Sequence, residues 1–144
     1  MSFLYVALGG ALGAMGRYAI SLIPLRSAFP ILTLATNILG AVAIGFITGL
    51  VDQRDGISPS TVLFWKTGVC GGFTTFSTFS LEAFQLIESK SYSVAAGYMV
   101  LSVAFCVIGI FCGRKIAEYL DFVFDSRRIT GGLSAHPFDI FIFP

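Results

Sequence analysis

The chain has 144 residues, of which 56% are hydrophobic and only 12% charged, with a mean hydropathy of +0.86 and a formal net charge of +1. Soluble domains carry about 25% charged residues, so this composition excludes an ordinary soluble fold and indicates a chain that crosses a membrane several times. A balance so near zero, with no basic stripe or groove, gives no footing for a nucleic-acid partner.

The first hydrophobic segment runs from about residue 3 to 23. No Lys or Arg precedes it, so the reading is a retained helix rather than a cleaved signal peptide. It holds Leu-Gly-Gly-Ala-Leu-Gly-Ala-Met-Gly-Arg-Tyr over 8–18. Gly9 with Gly13, and Gly10 with Ala14, are small-residue pairs that let a neighbouring helix approach closely. Arg17 ends the uncharged run. It reads either as an interfacial arginine whose stem snorkels to water or as a cation at the mouth of an aqueous vestibule.

The second segment runs from about 30 to 51, after a loop punctuated by Pro24 and Pro30. Ala41, Gly45 and Gly49 form a stripe suited to close packing. Asn37 is the exception in an apolar run, because a buried amide is costly unless hydrogen-bonded. It reads as an interhelical tie or as a donor aimed into a pore. Thr33 lies one turn earlier on nearly the same face.

Ser58-Pro59 is a helix start, with Ser as N-cap and Pro at the first helical position. The third segment, about 59 to 87, is longer than a straight crossing needs at about 1.5 Å per residue. It contains Thr-Gly-Val-Cys-Gly-Gly-Phe-Thr-Thr-Phe-Ser-Thr-Phe-Ser-Leu-Glu over 67–82. The excess length and the Gly71-Gly72 pair predict a broken helix. Non-helical backbone at membrane depth survives only inside protein or beside a watery cavity. Carbonyls from Gly71 to Thr74 would then need partners: another chain, water or a cation. Phe73, Phe76 and Phe79 recur every three residues, with Ser77, Thr78 and Ser80 among them. Lipid does not require such hydroxyls, whereas a path for a small polar species does. Glu82 lies two turns beyond Thr75, and an acid inside a membrane segment is a functional candidate.

The fourth segment, about 92 to 112, carries Ser102 and Cys106 on one face and stops at Arg114-Lys115. Cys70, Cys106 and Cys112 match no zinc spacing and read as small packing residues. The chain from Gly113 to about Phe124 could prolong this helix. The tail over 125–144, with His136, receives no role. The domain reading is one four-helix transmembrane domain over 1–124.

Four crossings put both termini on one side. That side carries Arg54, Lys66, Arg114, Lys115 and the tail pair Arg127 and Arg128, against Arg17, Arg26 and Lys90 opposite. Without the tail pair the bias is too small to set orientation. Insertion both ways, with two chains pairing antiparallel, follows as an expectation. The helix breaks of the two chains would then meet on the two-fold axis and bind one cation.

These motifs resemble the Fluc (CrcB) fluoride channels. The resemblance covers about residues 5–115 and rests on the runs 9–18, 33–40 and 68–82. It implies an all-α membrane protein in the cell membrane: four transmembrane helices with a broken third, forming an antiparallel, dual-topology homodimer in the lipid bilayer. It implies passive fluoride export through two pores, and a structural sodium ion (Na+) held by the Gly71 and Thr74 backbone carbonyls. Asn37, Phe76 and Phe79 would line the pore with Ser77, Thr78, Ser80 and Thr33. Arg17 would sit by the vestibule, and Glu82 and Ser102 would be further polar positions. The physical account agrees: ring edges are positive, and edge-on phenylalanines with hydroxyl and amide donors hold a small anion without trapping it. A rival reading is a dual-topology, proton-coupled drug exporter that binds cations through Glu82. An enzyme is not expected, since no nucleophile–base pair, metal cluster or phosphate loop is present.

Overall fold

The computed structural model describes residues 2–25, 27–54 and 56–129; the side chains of 127–129 are not among those described. Arg26, the tail pair Arg127 and Arg128 as side chains, and residues 130–144 with His136, on which parts of the charge and tail readings fall, lie outside them. The described residues are helical, with no strand among them. Helix α1 spans Ser2–Ser21, and α2 spans Ile31–Gln53. Helix α3 starts as Pro59–Val62, widens to a π-helix over Leu63–Cys70 and closes with one α-turn, Gly71–Phe73. Helix α4 spans Phe76–Glu88, and α5 runs unbroken over Tyr92–Ile129. Three of these helices (α1, α2 and α5) are each long and apolar enough to cross a membrane.

The start of α3 has a sequence-level cause. Ser58 accepts a hydrogen bond from the Ser60 N–H, and Pro59 occupies the first helical position, where its missing N–H costs nothing. Between α3 and α4 the backbone is extended: Thr74 has φ −76° and ψ 155°, Thr75 φ −146° and ψ 108°. The glycine pair itself stays helical, with Gly71 at φ −64° and ψ −37°. Gly72 serves packing instead, since a Cβ there would lie 2.5 Å from the Gly10 carbonyl oxygen.

Glycines set how the helices pair. On α1, a Cβ at Gly9 would meet the Phe64 oxygen at 2.4 Å, and one at Gly13 the Val69 oxygen at 2.1 Å. Helix α1 therefore lies directly on the π-helical part of α3. On α2, a Cβ at Gly45 would meet the Ile110 oxygen at 2.2 Å, and on α5 one at Gly113 would meet the Val42 oxygen at 2.1 Å. The α2–α5 crossing is equally close. Gly40 packs against Thr74, which ties the middle of α2 to the extended residues. Helix α4 rests on α5 through Phe79 and Ala83, next to the fully buried Tyr98.

The fourth segment runs further than its apolar part, as far as Ile129. At about 1.5 Å per residue the helix exceeds the roughly 30 Å of a bilayer core. Its far end is tied back by an ion pair of 2.8 Å between Asp121 and Arg54, just past the end of α2.

Candidate functional site

The extended pair Thr74–Thr75 is held from both sides. The Asn37 carboxamide faces the Thr75 backbone and makes two hydrogen bonds: its oxygen accepts from the Thr75 N–H at 2.7 Å, and its nitrogen donates to the Thr75 carbonyl at 3.2 Å. The amide thus imitates a neighbouring strand. An NH2 group has two hydrogens, so one N–H of Asn37 remains for another acceptor. Thr75 caps α4: its hydroxyl accepts from the Thr78 N–H at 3.2 Å and donates to the Thr78 hydroxyl at 2.9 Å. Ser77 lies 3.3 Å from the same hydroxyl.

These bonds release particular carbonyls. In a continuous helix the Thr75 N–H would bond the Gly71 carbonyl and the Thr78 N–H the Thr74 carbonyl. Here the first donor goes to Asn37 and the second to the Thr75 hydroxyl. Gly71 also faces open space, with nothing within 4 Å of a Cβ built there. The Gly72 carbonyl accepts from Arg17 Nε at 3.3 Å. Arg17 therefore binds the end of α3. Among the described residues no group of three His, Cys, Asp or Glu side chains gathers for a metal. A cation at this level would be held by backbone oxygen, and the Gly71 and Thr74 carbonyls fit that donor set.

Beyond Thr75 the two rings diverge in setting. Phe79 is 9% exposed and Phe76 is 78% exposed, with centroids 5.4 Å apart and planes at 45°. Phe79 also packs on Tyr98 at 5.2 Å, and Phe29 meets Tyr98 edge-on at 5.5 Å and 84°. One helical turn further lies Glu82. Its two oxygens accept separate hydroxyls, Thr33 at 2.8 Å and Tyr98 at 2.7 Å. Thr33 and Glu82 line a cavity of about 250 Å³ together with the α1–α2 loop.

Ser102, one turn after Tyr98 on α5, is 5% exposed, and its hydroxyl has no hydrogen-bond partner among the described residues. A buried hydroxyl left unmade costs about 1–3 kcal/mol, so this position calls for a ligand or water. Ser80 is different: it faces outward and donates to the Phe76 carbonyl. Asn37, Thr33, Thr78, Phe79, Glu82 and Ser102 thus border one half of the fold. Gly71, Thr74 and Arg17 belong to the interruption, and Phe76, Ser77 and Ser80 face outward from α4. Sequence reasoning passed over Tyr98. A tyrosine inside an apolar run, one turn from Ser102, is the signal that marks it, since a buried phenol needs a partner.

The chain matches the family model described as CrcB-like protein, Camphor Resistance (CrcB), over residues 4–114. It is 40% identical over 119 residues to a fluoride-specific ion channel FluC from Flavobacterium psychrophilum, covering 81% of this chain and 96% of the relative. A protein of the same description from Rhodopseudomonas palustris is 42% identical over 119 residues, with the same coverage. Another, from Ruminiclostridium cellulolyticum, is 42% identical over 116 residues, covering 78% and 89%. The matched span takes in α2, α3 and α4 whole, α1 but for its first two residues and α5 as far as Arg114, and the chain is a multi-pass membrane protein of the CrcB family.

Proposed function

We propose that this chain is a passive, fluoride-selective channel, a transporter and not an enzyme, that works as an antiparallel homodimer with two pores. The relatives named as fluoride-specific channels support the ion. One observation carries the path: in the membrane half that holds α4, the spare Asn37 N–H, the Phe79 ring and the unpartnered Ser102 hydroxyl are the groups left to meet an anion, while the Thr33 and Tyr98 hydroxyls already donate to Glu82. Fluoride is small and strongly hydrated, so a conducting route must offer donors in place of water while binding weakly enough to release it. Hydroxyls, one amide and ring edges meet both needs; a fixed cation in the narrow part would hold the ion.

The broken third helix is the centre of this reading. Its Gly71 and Thr74 carbonyls are the groups that would hold a structural sodium ion, whose positive charge would offset the oxygens freed at the break. Phe76, Ser77 and Ser80 face the pore, Thr78 continues the hydroxyl line, and Arg17 sits below the vestibule while restraining the end of α3. Glu82 is a hydrogen-bond acceptor that aims Thr33 and Tyr98.

The test is ion release from vesicles holding the purified protein. Fluoride-loaded vesicles should empty rapidly and chloride-loaded vesicles should retain their load. Retention of both ions by folded protein would end the channel reading; equal release of both would end its selectivity.

A further inference from the structure

We propose that Phe29, in the turn before α2, is a positioning residue for conduction: its ring fixes the direction in which the Tyr98 hydroxyl points. The inference rests on the fluoride path above and adds a residue outside the helices to it. The turn is built to hold the ring still. The Ser27 hydroxyl accepts the Phe29 N–H at 3.2 Å, a side-chain turn of the kind serine favours. Pro30 follows at φ −74° and ψ 66°, and the Phe29 carbonyl accepts the Ile31 N–H at 2.8 Å. Those angles and that bond make an inverse γ-turn, with φ locked by the proline ring. The backbone of Phe29, as the residue before a proline, is restricted as well.

From this turn the Phe29 ring meets Tyr98 edge-on, at 5.5 Å and 84°. Phe79 packs on the same ring at 5.2 Å. Tyr98 is fully buried, and its hydroxyl donates to one Glu82 oxygen at 2.7 Å. One turn after Phe29 in the chain, Thr33 donates to the other Glu82 oxygen at 2.8 Å. Phe29, Tyr98, Glu82 and Thr33 therefore close a circuit, and the turn governs both donors of the carboxylate: Thr33 through the backbone, Tyr98 through the ring contact. Phe29, Thr33 and Glu82 also line the cavity of about 250 Å³. Loss of the Phe29 ring enlarges that cavity on the side of Tyr98 and gives the phenol room to turn from Glu82. A carboxylate stripped of one donor leaves its charge uncompensated beside the path, where it repels an anion. The competing role for Phe29 is the filling of space, which any apolar side chain of similar volume performs. An edge-on ring contact is directional, and filling is not.

Fluoride efflux from vesicles tests this, on the unaltered chain, Phe29→Leu, Tyr98→Phe and the double variant. Each single substitution should slow efflux about tenfold. The double variant should be no slower than Tyr98→Phe, because the hydroxyl that Phe29 aims is then already gone. Phe29→Tyr, which keeps the ring, should retain most of the flux. Losses that multiply in the double variant, or a Phe29→Leu channel as fast as the unaltered one, would overturn the proposal. A second measurement reads the hydroxyl itself. The protein is labelled at the tyrosine ζ-carbon, and the Tyr98 signal is assigned by its loss in Tyr98→Phe. In an equal mixture of H2O and D2O, a slowly exchanging phenol gives two lines for that carbon and a freely exchanging one gives a single line. Tyr98 should give two lines in the unaltered chain and one in Phe29→Leu. Two lines in both would reduce Phe29 to a space filler and reject its role. Should Phe29→Leu fail to fold, Phe29→Met, which occupies the gap without a ring edge, takes its place in both measurements. An unaltered chain that retains fluoride ends the channel reading, whereas a conducting chain whose Tyr98 signal ignores Phe29 ends this inference alone.

Discussion

Phe76 and Phe79 are three residues apart yet do different work in one copy. Phe79 is packed on Tyr98 and Ala83, while Phe76 stands outside that cluster. Phe79→Ile should therefore lower both fluoride flux and stability, the latter by roughly 1–3 kcal/mol. Phe76→Ile should abolish most flux with the helical circular-dichroism signal and melting of the α4–α5 packing retained. Equal flux in both variants would remove the rings from the mechanism. Glu82 offers a second residue-scale test. A glutamine keeps one acceptor oxygen but turns an NH2 toward the other hydroxyl. Glu82→Gln should destabilise the fold by about 1–3 kcal/mol and misdirect Tyr98, cutting fluoride flux with selectivity intact. A drug-efflux activity lost in the same variant would instead revive the exporter. At this scale Asn37 and Glu82 are legible in the sequence as polar side chains in apolar runs, and the fold gives both hydrogen-bond partners on other helices. Tyr98 is harder to single out, since tyrosines are common near membrane interfaces and its burial depends on Phe29 and Phe79 packing against it.

The helices show a different limit. The small-residue pairs of α1 and α2 are readable as close crossings, because a glycine stripe has few other uses in a membrane. What they cross is set only by the fold: Gly9 and Gly13 meet the π-helical stretch, and Gly45 meets α5. The interruption teaches the same lesson. Gly71-Gly72 draws attention to the right turn of the chain, but the extended residues are Thr74 and Thr75, held open by an amide from another helix. Propensity weakens the helix, and tertiary hydrogen bonds decide where it yields. Asn37→Ala should consequently act on the whole α3–α4 junction. It strands a backbone N–H and a carbonyl, each worth about 1–3 kcal/mol. Faster hydrogen exchange at Thr75 and Phe76, together with lost flux, is the expected result; lost flux with unchanged exchange would confine Asn37 to the pore.

For the whole molecule, the proposed sharing of the Gly71 and Thr74 carbonyls between two copies would make stability sensitive to monovalent cations. Transfer of the purified protein into sodium-free N-methylglucamine buffer should lower its melting temperature, and sodium should restore it where potassium does not. A melting curve indifferent to sodium would count against the shared site. A membrane-crossing, near-neutral chain is legible in composition alone, and three of its helices are long and apolar enough to cross. The length of α5 is less so, because its last turns are not apolar. They persist as helix with Asp121 anchored on Arg54, a contact between positions far apart in the chain.

The widened turns of α3 have a consequence for how this chain tolerates length changes. A π-helix spends more residues per turn than an α-helix, so Leu63–Cys70 stores surplus chain between two fixed points, the Ser58 cap and the extended threonines. Removing Leu63 should let the stretch tighten to α-helix and keep both ends in place. The same deletion within α2 would swing everything beyond it by about 100° and turn Asn37 away from Thr75. A deletion scan read by fluoride efflux should then show a forgiving spot within helix α3, the reverse of the common pattern in which surface loops absorb lost residues and packed helices do not.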